Sequence, residues 1–431
     1  MTVSAATAPS VPPSASRPGL RLTLILGALS AFGPLSMDMY LPGLPSLTRD
    51  LGASASTGQL TLTGCMLGIA GGQLLTGPLS DSLGRRRPLL AGLVGYVAAS
   101  LACAGAPSIA ILIVLRFIQG MLGGAGVVIA RAIVRDLFRG TAAARVFALL
   151  MMVTGVAPVF APLIGGQVLA ITSWRGVFVL LAAIGVPLFI STAIWLPETL
   201  APERRHGGGL GFTLRTFGRL FTDRSFMPPA AAFSLAFATM FAYIAGASFA
   251  LEDVFGVSPQ LFSVMFAVNS AGLVAASQIG GRVVGRVGAP ALLRFGVFGV
   301  ALGSIGVLVV TLAHAGLAPL LIGLFVILSS NGIVFPNATA VALAEQEGAL
   351  GSASALLGMG QFGTGALIAP VVGVGGSHDA LPMAIVIGVC GVSALAVNLV
   401  FGPGPVAAPG PGAAPGPGAA PGSERERNET V

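Results

Sequence analysis

Apolar residues run in long unbroken stretches along this sequence, interrupted at intervals by short clusters of Gly, Pro, Asp, Glu and Arg. A helix needs roughly 20 apolar residues to cross the hydrocarbon core of a bilayer. That rule predicts twelve helices, at about 22–44, 58–79, 88–106, 109–133, 144–171, 175–197, 228–251, 259–282, 290–313, 317–341, 350–374 and 381–402. The polar stretches divide the chain further. Residues 1–21 are rich in Pro, Ser and Ala and lack a hydrophobic run, so a flexible cytoplasmic tail is expected there and not a signal peptide. Residues 22–197 form a first six-helix bundle and 228–402 a second, joined by a charged cytoplasmic loop at 198–227. The Pro/Gly/Ala repeats of 403–431 cannot bury a core and are expected to be a disordered cytoplasmic tail.

Composition agrees with a membrane protein. Only 9% of residues are charged, against about 25% in soluble domains. The 62 glycines suit membrane helices, where small residues let backbones approach. The net charge is +7, and every basic residue is arginine. With the N-terminus in the cytoplasm, the outer loops hold only Arg49 and Arg175 (Arg116 and Arg131 fall within the fourth helix), and the remaining arginines lie on the inner side. This is the positive-inside distribution. It places both termini in the cytoplasm, in a multi-pass protein of the cell membrane, and argues against nucleic acid as a partner. Cys65, Cys103 and Cys390 lie singly in apolar runs and the three histidines are scattered, so neither a metal site nor another cofactor is expected. No nucleophile–base pair or nucleotide loop suggests an enzyme.

An internal repeat relates the halves. Gly77-Pro-Leu-Ser-Asp-Ser-Leu-Gly84 is echoed by Gly281-Arg-Val-Val-Gly-Arg-Val-Gly288, and Ala161-Pro-Leu-Ile-Gly165 by Ala369-Pro-Val-Val-Gly373. The offsets are nearly equal, which predicts two halves of the same direction and a site between them near the midplane. One chain already holds both halves, so a monomer suffices. In the second copy Gly285 stands where Asp81 does in the first.

Three motifs resemble the major facilitator superfamily. Gly77, Asp81, Gly84, Arg85 and Arg86 look like its signature between helices 2 and 3. There an acidic group that pairs an arginine or meets a helix N-terminus would latch the outward-open state and part when the inside opens. Leu115-Arg116-Phe-Ile-Gln119-Gly120 resembles the helix 4 signature of proton-driven antiporters. Gly155, Pro158, Pro162, Gly165 and Gly166 resemble the helix 5 signature of exporters, where Pro and Gly make a pliable helix. A narrower resemblance is to the Bcr/CflA branch of drug/proton antiporters. It is carried by Asp38-Met-Tyr-Leu-Pro-Gly-Leu-Pro45, Ile129-Ala-Arg-Ala-Ile-Val-Arg-Asp136, Ser173-Trp-Arg-Gly-Val-Phe178, Leu196-Pro-Glu-Thr-Leu200, Ser258-Pro-Gln-Leu-Phe262 and Gly351-Ser-Ala-Ser-Ala-Leu-Leu-Gly358. It implies an all-α fold of twelve helices in two pseudo-symmetric bundles, and alternating-access export of a small drug-like molecule of bicyclomycin, phenicol or sulfonamide type by proton antiport. Transport of an endogenous metabolite is the alternative.

An ionisable group within a span is expensive to bury and is a functional candidate by default. Asp38 is the only carboxylate that the predicted helices enclose. It lies roughly 24 Å along helix 1, and Arg116 roughly 10 Å from the outer end of helix 4, so the two share the outer part of the membrane. Asp38 is the expected proton carrier and Arg116 its counter-charge. Some relatives carry a second membrane carboxylate two turns earlier on helix 1. Ser30 stands there in this chain, which points to neutral or zwitterionic cargo. Tyr40, Gln119, Phe241, Tyr243, Asn269, Asn331, Asn337 and Gln361 are the candidates to contact it.

Overall fold

The computed structural model describes residues 20–138, 140–202, 217–346, 350–375 and 379–401. The expected tails, apart from a few residues next to the first and last helices, and residues 203–216 of the 198–227 loop lie outside the described residues. Twelve long helices run through the rest: α1 Leu20–Asp38, α2 Ala55–Leu83, α3 Arg86–Ala104, α4 Ile109–Leu137, α5 Gly140–Ile171, α6 Trp174–Trp195, α7 Met227–Ser248, α8 Pro259–Val287, α9 Ala289–Leu312, α10 Leu317–Leu343, α11 Leu350–Val372 and α12 Leu381–Phe401. Among the described residues ten helices are long and apolar enough to cross a membrane, while α5 and α11 contribute the shorter apolar stretches Val156–Ile171 and Leu356–Val372. Exposed Leu, Ile, Val and Phe cover the outside of the bundle, as a lipid-facing surface requires.

The first span differs from its expected single helix over 22–44. Pro42 and Pro45 have no N–H to donate, and their rings crowd the preceding turn. α1 therefore stops at Asp38, the chain turns through Met39 and Tyr40, and a 3₁₀ turn, Leu41–Gly43, leads into a short helix, Leu44–Asp50. The seventh span also ends irregularly. A π-helical turn, Phe249–Val254, follows α7 and extends that span beyond the expected residue 251.

α2 and α8 show the duplication most clearly. Each is 29 residues long, each is N-capped by a serine (Ser54, Ser258) that accepts from the backbone three residues on, and each ends at a glycine of positive φ, Gly84 at 89° and Gly288 at 84°. That left-handed conformation strains residues with a Cβ, which explains the closing glycine of both copies. Gly77, Gly281 and Gly285 have open space at the Cβ position, so crowding does not require glycine there.

Within the first half α2 packs on α4 and α3 on α6, and α1 lies against α4 and α5; the second half repeats the scheme with α8 on α10 and α9 on α12. The halves meet along α2–α11 and α5–α8. Close approach is built from glycine. A Cβ at Gly68, Gly72 or Gly120 would collide with backbone of the facing helix in the α2–α4 pair, and one at Gly332 with the backbone of α8 at Leu273.

Bonds between the halves cluster at one end. Among the described residues they are Arg49 to Asp253 at 2.9 Å, Gln59 Nε2 to the Ala245 carbonyl at 3.0 Å, Thr63 Oγ1 to the Ala366 carbonyl at 3.0 Å, and Gln260 Nε2 to the Gly166 carbonyl at 3.3 Å. All lie in the outer half of the molecule. The cytoplasmic ends of the halves each carry a polar network, around Arg85 in the first and Asp223 in the second. The outer ends of the halves are joined in this structure.

Candidate functional site

Asp38 occupies the last turn of α1, where the prolines interrupt the helix. Its placement depends on α5. A Cβ on Gly165 would fall on the Met39 carbonyl, and one on Gly166 would meet the Ser263 hydroxyl of α8. The first glycine thus admits the break in α1, and the second admits the opposite half. Pro158 and Pro162 sit inside α5 without ending it. The surroundings of Gly155 lie outside the described residues.

Asp38 is buried at 5% exposure, and Arg116 is completely buried. Among the described residues the ion pairs do not include these two. Arg116 is held beside Asp38 by other means. Its guanidinium carbon stands 4.3 Å from the centre of the Tyr40 ring and 5.6 Å from that of Phe178, and cations favour aromatic faces. Arg116 Nη1 donates to Gln119 Oε1 at 2.6 Å, and Gln119 Nε2 donates to Ser100 Oγ at 2.8 Å. The Tyr40 hydroxyl meets Thr61 at 2.9 Å, and Ser36 meets the Tyr96 hydroxyl at 2.5 Å. Arg116 Nε and Nη2 have no hydrogen-bond partner. The result is a buried acid and a buried base, held near each other by uncharged side chains, with donor capacity on the arginine to spare. Ser30 is also buried and bonds back to the Leu26 carbonyl of its own helix at 3.0 Å.

The other expected contact residues are dispersed. Tyr40 and Gln119 belong to the Arg116 network just described. Tyr243 and Asn269 bond to each other at 3.0 Å. Asn331 donates to Thr239 at 3.3 Å and Asn337 to the Ile333 carbonyl of its own helix at 2.7 Å. Phe241 is buried and stacks on Phe237, which also adjoins Phe335 and Phe362. Gln361 keeps a partly exposed side chain.

The loop 2–3 motif forms a network at the cytoplasmic face of the first half. Arg85 donates to Asp81 at 2.5 Å, to Ser80 at 2.7 Å and to Asp136 at 3.0 Å. Arg86 donates to the Ala193 carbonyl at 2.6 Å. Burial of Arg85 lowers its pKa, but Asp136 and Asp81 outweigh that and hold it above the usual value. Asp81 is paired with Arg85 within the first half in this structure. Glu198 completes the network by accepting from the backbone N–H groups of Arg85 (2.8 Å) and Arg86 (3.2 Å) at the start of α3, a favourable seat for an anion. Burial raises its pKa, but backbone bonds from Leu200, Arg85, Arg86 and Thr199 win and hold the carboxyl below its usual range. A depressed acid stabilises the fold above its unfolded pKa of about 4.3, and that stabilisation is lost as pH falls through the folded value. Glu198→Gln is therefore expected to lower Tm near neutral pH, by less than about 1 kcal/mol for so exposed a group, and to converge with the parent in acid. Thermal melts at both pH values check this.

Sequence reasoning missed the outer contacts. Glu252 and Asp253 fall beyond the expected seventh helix, yet Asp253 is bonded to the first half and Glu252 Oε1 is buried without a partner. The repeat held the signal, because the 204-residue offset maps Arg49 onto Asp253.

Comparison with known proteins agrees with this architecture. The profile of the Major Facilitator Superfamily matches residues 26–370. The chain belongs to the major facilitator superfamily. It is 41% identical to the uncharacterized MFS-type transporter YdgK of Bacillus subtilis, over 84% of this chain and 91% of that one. It is 31% identical to the bicyclomycin resistance protein homolog of Haemophilus influenzae, over 85% and 92%. A chloramphenicol resistance protein of Pseudomonas aeruginosa is 33% identical over 63% of this chain and 64% of its own. These relatives place the chain in the Bcr/CflA branch of the superfamily. Solved structures share its fold at low identity, among them a peptide transporter (TM-score 0.72, 15% identity, covering 89% of this chain and 95% of that one) and a D-xylose–proton symporter (TM-score 0.69, 14%, covering 89% and 98%). The chain is a multi-pass transporter of the cell membrane and not an enzyme.

Proposed function

We propose that this transporter exports a small, neutral or zwitterionic drug-like molecule from the cytoplasm in exchange for protons. The observation that carries the reading is the Asp38–Arg116 arrangement. A lone buried carboxylate that shares no ion pair with a nearby buried arginine can accept a proton without first breaking a salt bridge. Alternating access would wet Asp38 from one side and then from the other, and the proton would travel down its gradient as cargo moves out. Arg116, anchored by Gln119 and the Tyr40 ring, would hold its charge in place through the cycle. In a latch role, the pairing of Asp81 with an arginine or a helix N-terminus would hold the outward-open state and part as the inside opens.

The aromatic group of Phe237, Phe241, Phe335 and Phe362 offers apolar stacking surface for cargo, and Gln361 a polar contact. Tyr243, Asn269, Asn331 and Asn337 would reach cargo only by giving up the bonds they now make. Relatives named for bicyclomycin and chloramphenicol resistance support antibiotics of those kinds as the first compounds to try. A susceptibility panel on an efflux-deficient host expressing this chain tests the reading. The expected result is a rise of severalfold in the inhibitory concentration of bicyclomycin or a phenicol. No change for any compound, with the protein present in the membrane, would contradict it.

A further inference from the structure

The outer ion pair joins equivalent positions of the repeat. Arg49 and Asp253 are 204 residues apart, the offset that also relates the α2 and α8 caps. Each follows the interruption that ends the first span of its half: Arg49 in the short helix after α1, Asp253 in the π-helical turn after α7. The pair therefore lies where the two halves mirror one another, and separating the halves on the outer side must break it. π-turns in α-helices often mark functional positions. This one brings a second carboxylate, Glu252, next to the pair.

The charged neighbours of Glu252 among the described residues can be named by element. On its own turn is Asp253, which repels a charge on Glu252, and on the facing short helix is Arg49, which attracts it. Arg49 is already bonded to Asp253 at 2.9 Å. Asp50, next to Arg49, is taken by Trp174 and Arg175. Also packed against the turn are α7 and the starts of α8 and α2; α7 carries no ionisable residue but Tyr243, bonded to Asn269, and the first turns of α8 and α2 carry none. Glu252 Oε1 is buried with no donor. An ionised carboxylate so placed has an oxygen without a donor and only a shared attraction to Arg49, so burial disfavours its charge.

We propose that Glu252 is a second proton-binding carboxylate of the transport cycle, set in the outer gate, which must take a proton from the outer phase before that gate can close. In the closed state the proton sits on the Glu252 carboxyl, and Arg49 pairs with Asp253 alone. Opening parts Arg49 from Asp253 and admits water, and Glu252 releases its proton outward. Closing reverses each step. The gate then shuts readily only where outer protons are plentiful, which ties the return of the transporter to the supply that drives export. The inference rests on the proton-antiport reading for its purpose, but its mechanics need only alternating access and not Asp38.

The test uses the full-length protein in lipid nanodiscs, with the three native cysteines replaced by alanine and spin labels at Ala53→Cys and Phe255→Cys across the gate. Inter-label distances report the closed fraction at several pH values. The expected result is a closed fraction that falls as pH rises in the parent. Glu252→Gln stays closed throughout, its pH response cut at least about threefold, while Glu252→Asp keeps a response. Asp253→Asn lowers the closed fraction at every pH while keeping its pH response. Asp38→Asn keeps the Glu252-dependent response even though it removes transport, so failure of one reading is separable from failure of the other. A parental pH response in Glu252→Gln would overturn the proposal, as would a response lost in Asp38→Asn but kept in Glu252→Gln. If Glu252→Gln does not fold, the Glu252→Asp curve decides: an unshifted midpoint overturns the proposal and a shifted one supports it.

Discussion

Asp38→Asn is expected to abolish proton-linked export while leaving the protein inserted and folded. Asparagine preserves the size and polarity of the side chain but cannot ionise, and the packing around position 38 makes no demand on the charge. Arg116 keeps its bond to Gln119 and its seat on the Tyr40 ring. The variant should therefore melt near the parent temperature and bind cargo. Its exchange of cargo for protons should drop by roughly a hundredfold or more, the scale set by loss of a positioned proton-transfer group. Proton release on adding cargo to purified protein, read with a pH-sensitive dye, gives the answer. Parental release from Asp38→Asn would remove Asp38 from the mechanism.

Gly165→Val is expected to be the most damaging change outside the charged pair. The position faces the Met39 carbonyl, so a Cβ lands on backbone, and a backbone carbonyl cannot turn aside as a flexible side chain can. α5 must move off the α1 break, and Asp38 moves with it. Overpacking of this kind costs about 1–3 kcal/mol, with loss of transport beyond that because the proton site is displaced. Gly166→Ala is the contrasting case. Its Cβ meets the Ser263 hydroxyl, which can rotate, and more loosely the Ser263 Cβ at 3.1 Å, so a small shift between α5 and α8 accommodates it and the effect should fall on closure between those helices. Equal thermal destabilisation of Gly165→Val and Gly166→Ala would contradict this account of the motif.

Helix number, order and most boundaries were legible from hydrophobic run length, because a membrane span must be both apolar and long. α9 illustrates this, expected at 290–313 and observed at Ala289–Leu312. The first and seventh spans resisted because hydropathy does not register backbone irregularity. Pro42 and Pro45 stop α1 at Asp38 while the residues stay apolar, and nothing in the composition of Phe249–Val254 announces a π-turn. Asp38 and Arg116 stood out because charge is rare in spans. Their geometry did not, since it depends on Gly165 from α5, Gln119 from α4 and Tyr40 from the turn after α1 coming together. Polar span residues were the least informative. Tyr243 and Asn269 look alike in sequence whether they await cargo or, as here, bond to each other. Arg49 and Asp253 were hidden for another reason: each looks like an ordinary loop charge until the repeat is used to superpose the halves.

Inverted membrane vesicles test the central claim most directly. With the vesicle lumen made acidic, labelled cargo should accumulate inside, and collapse of the proton gradient by an uncoupler should stop it. The Asp38→Asn vesicles should show neither accumulation nor a response to the uncoupler. Accumulation that proceeds equally without a proton gradient, or that the Asp38→Asn protein sustains, would contradict proton-driven export through this site.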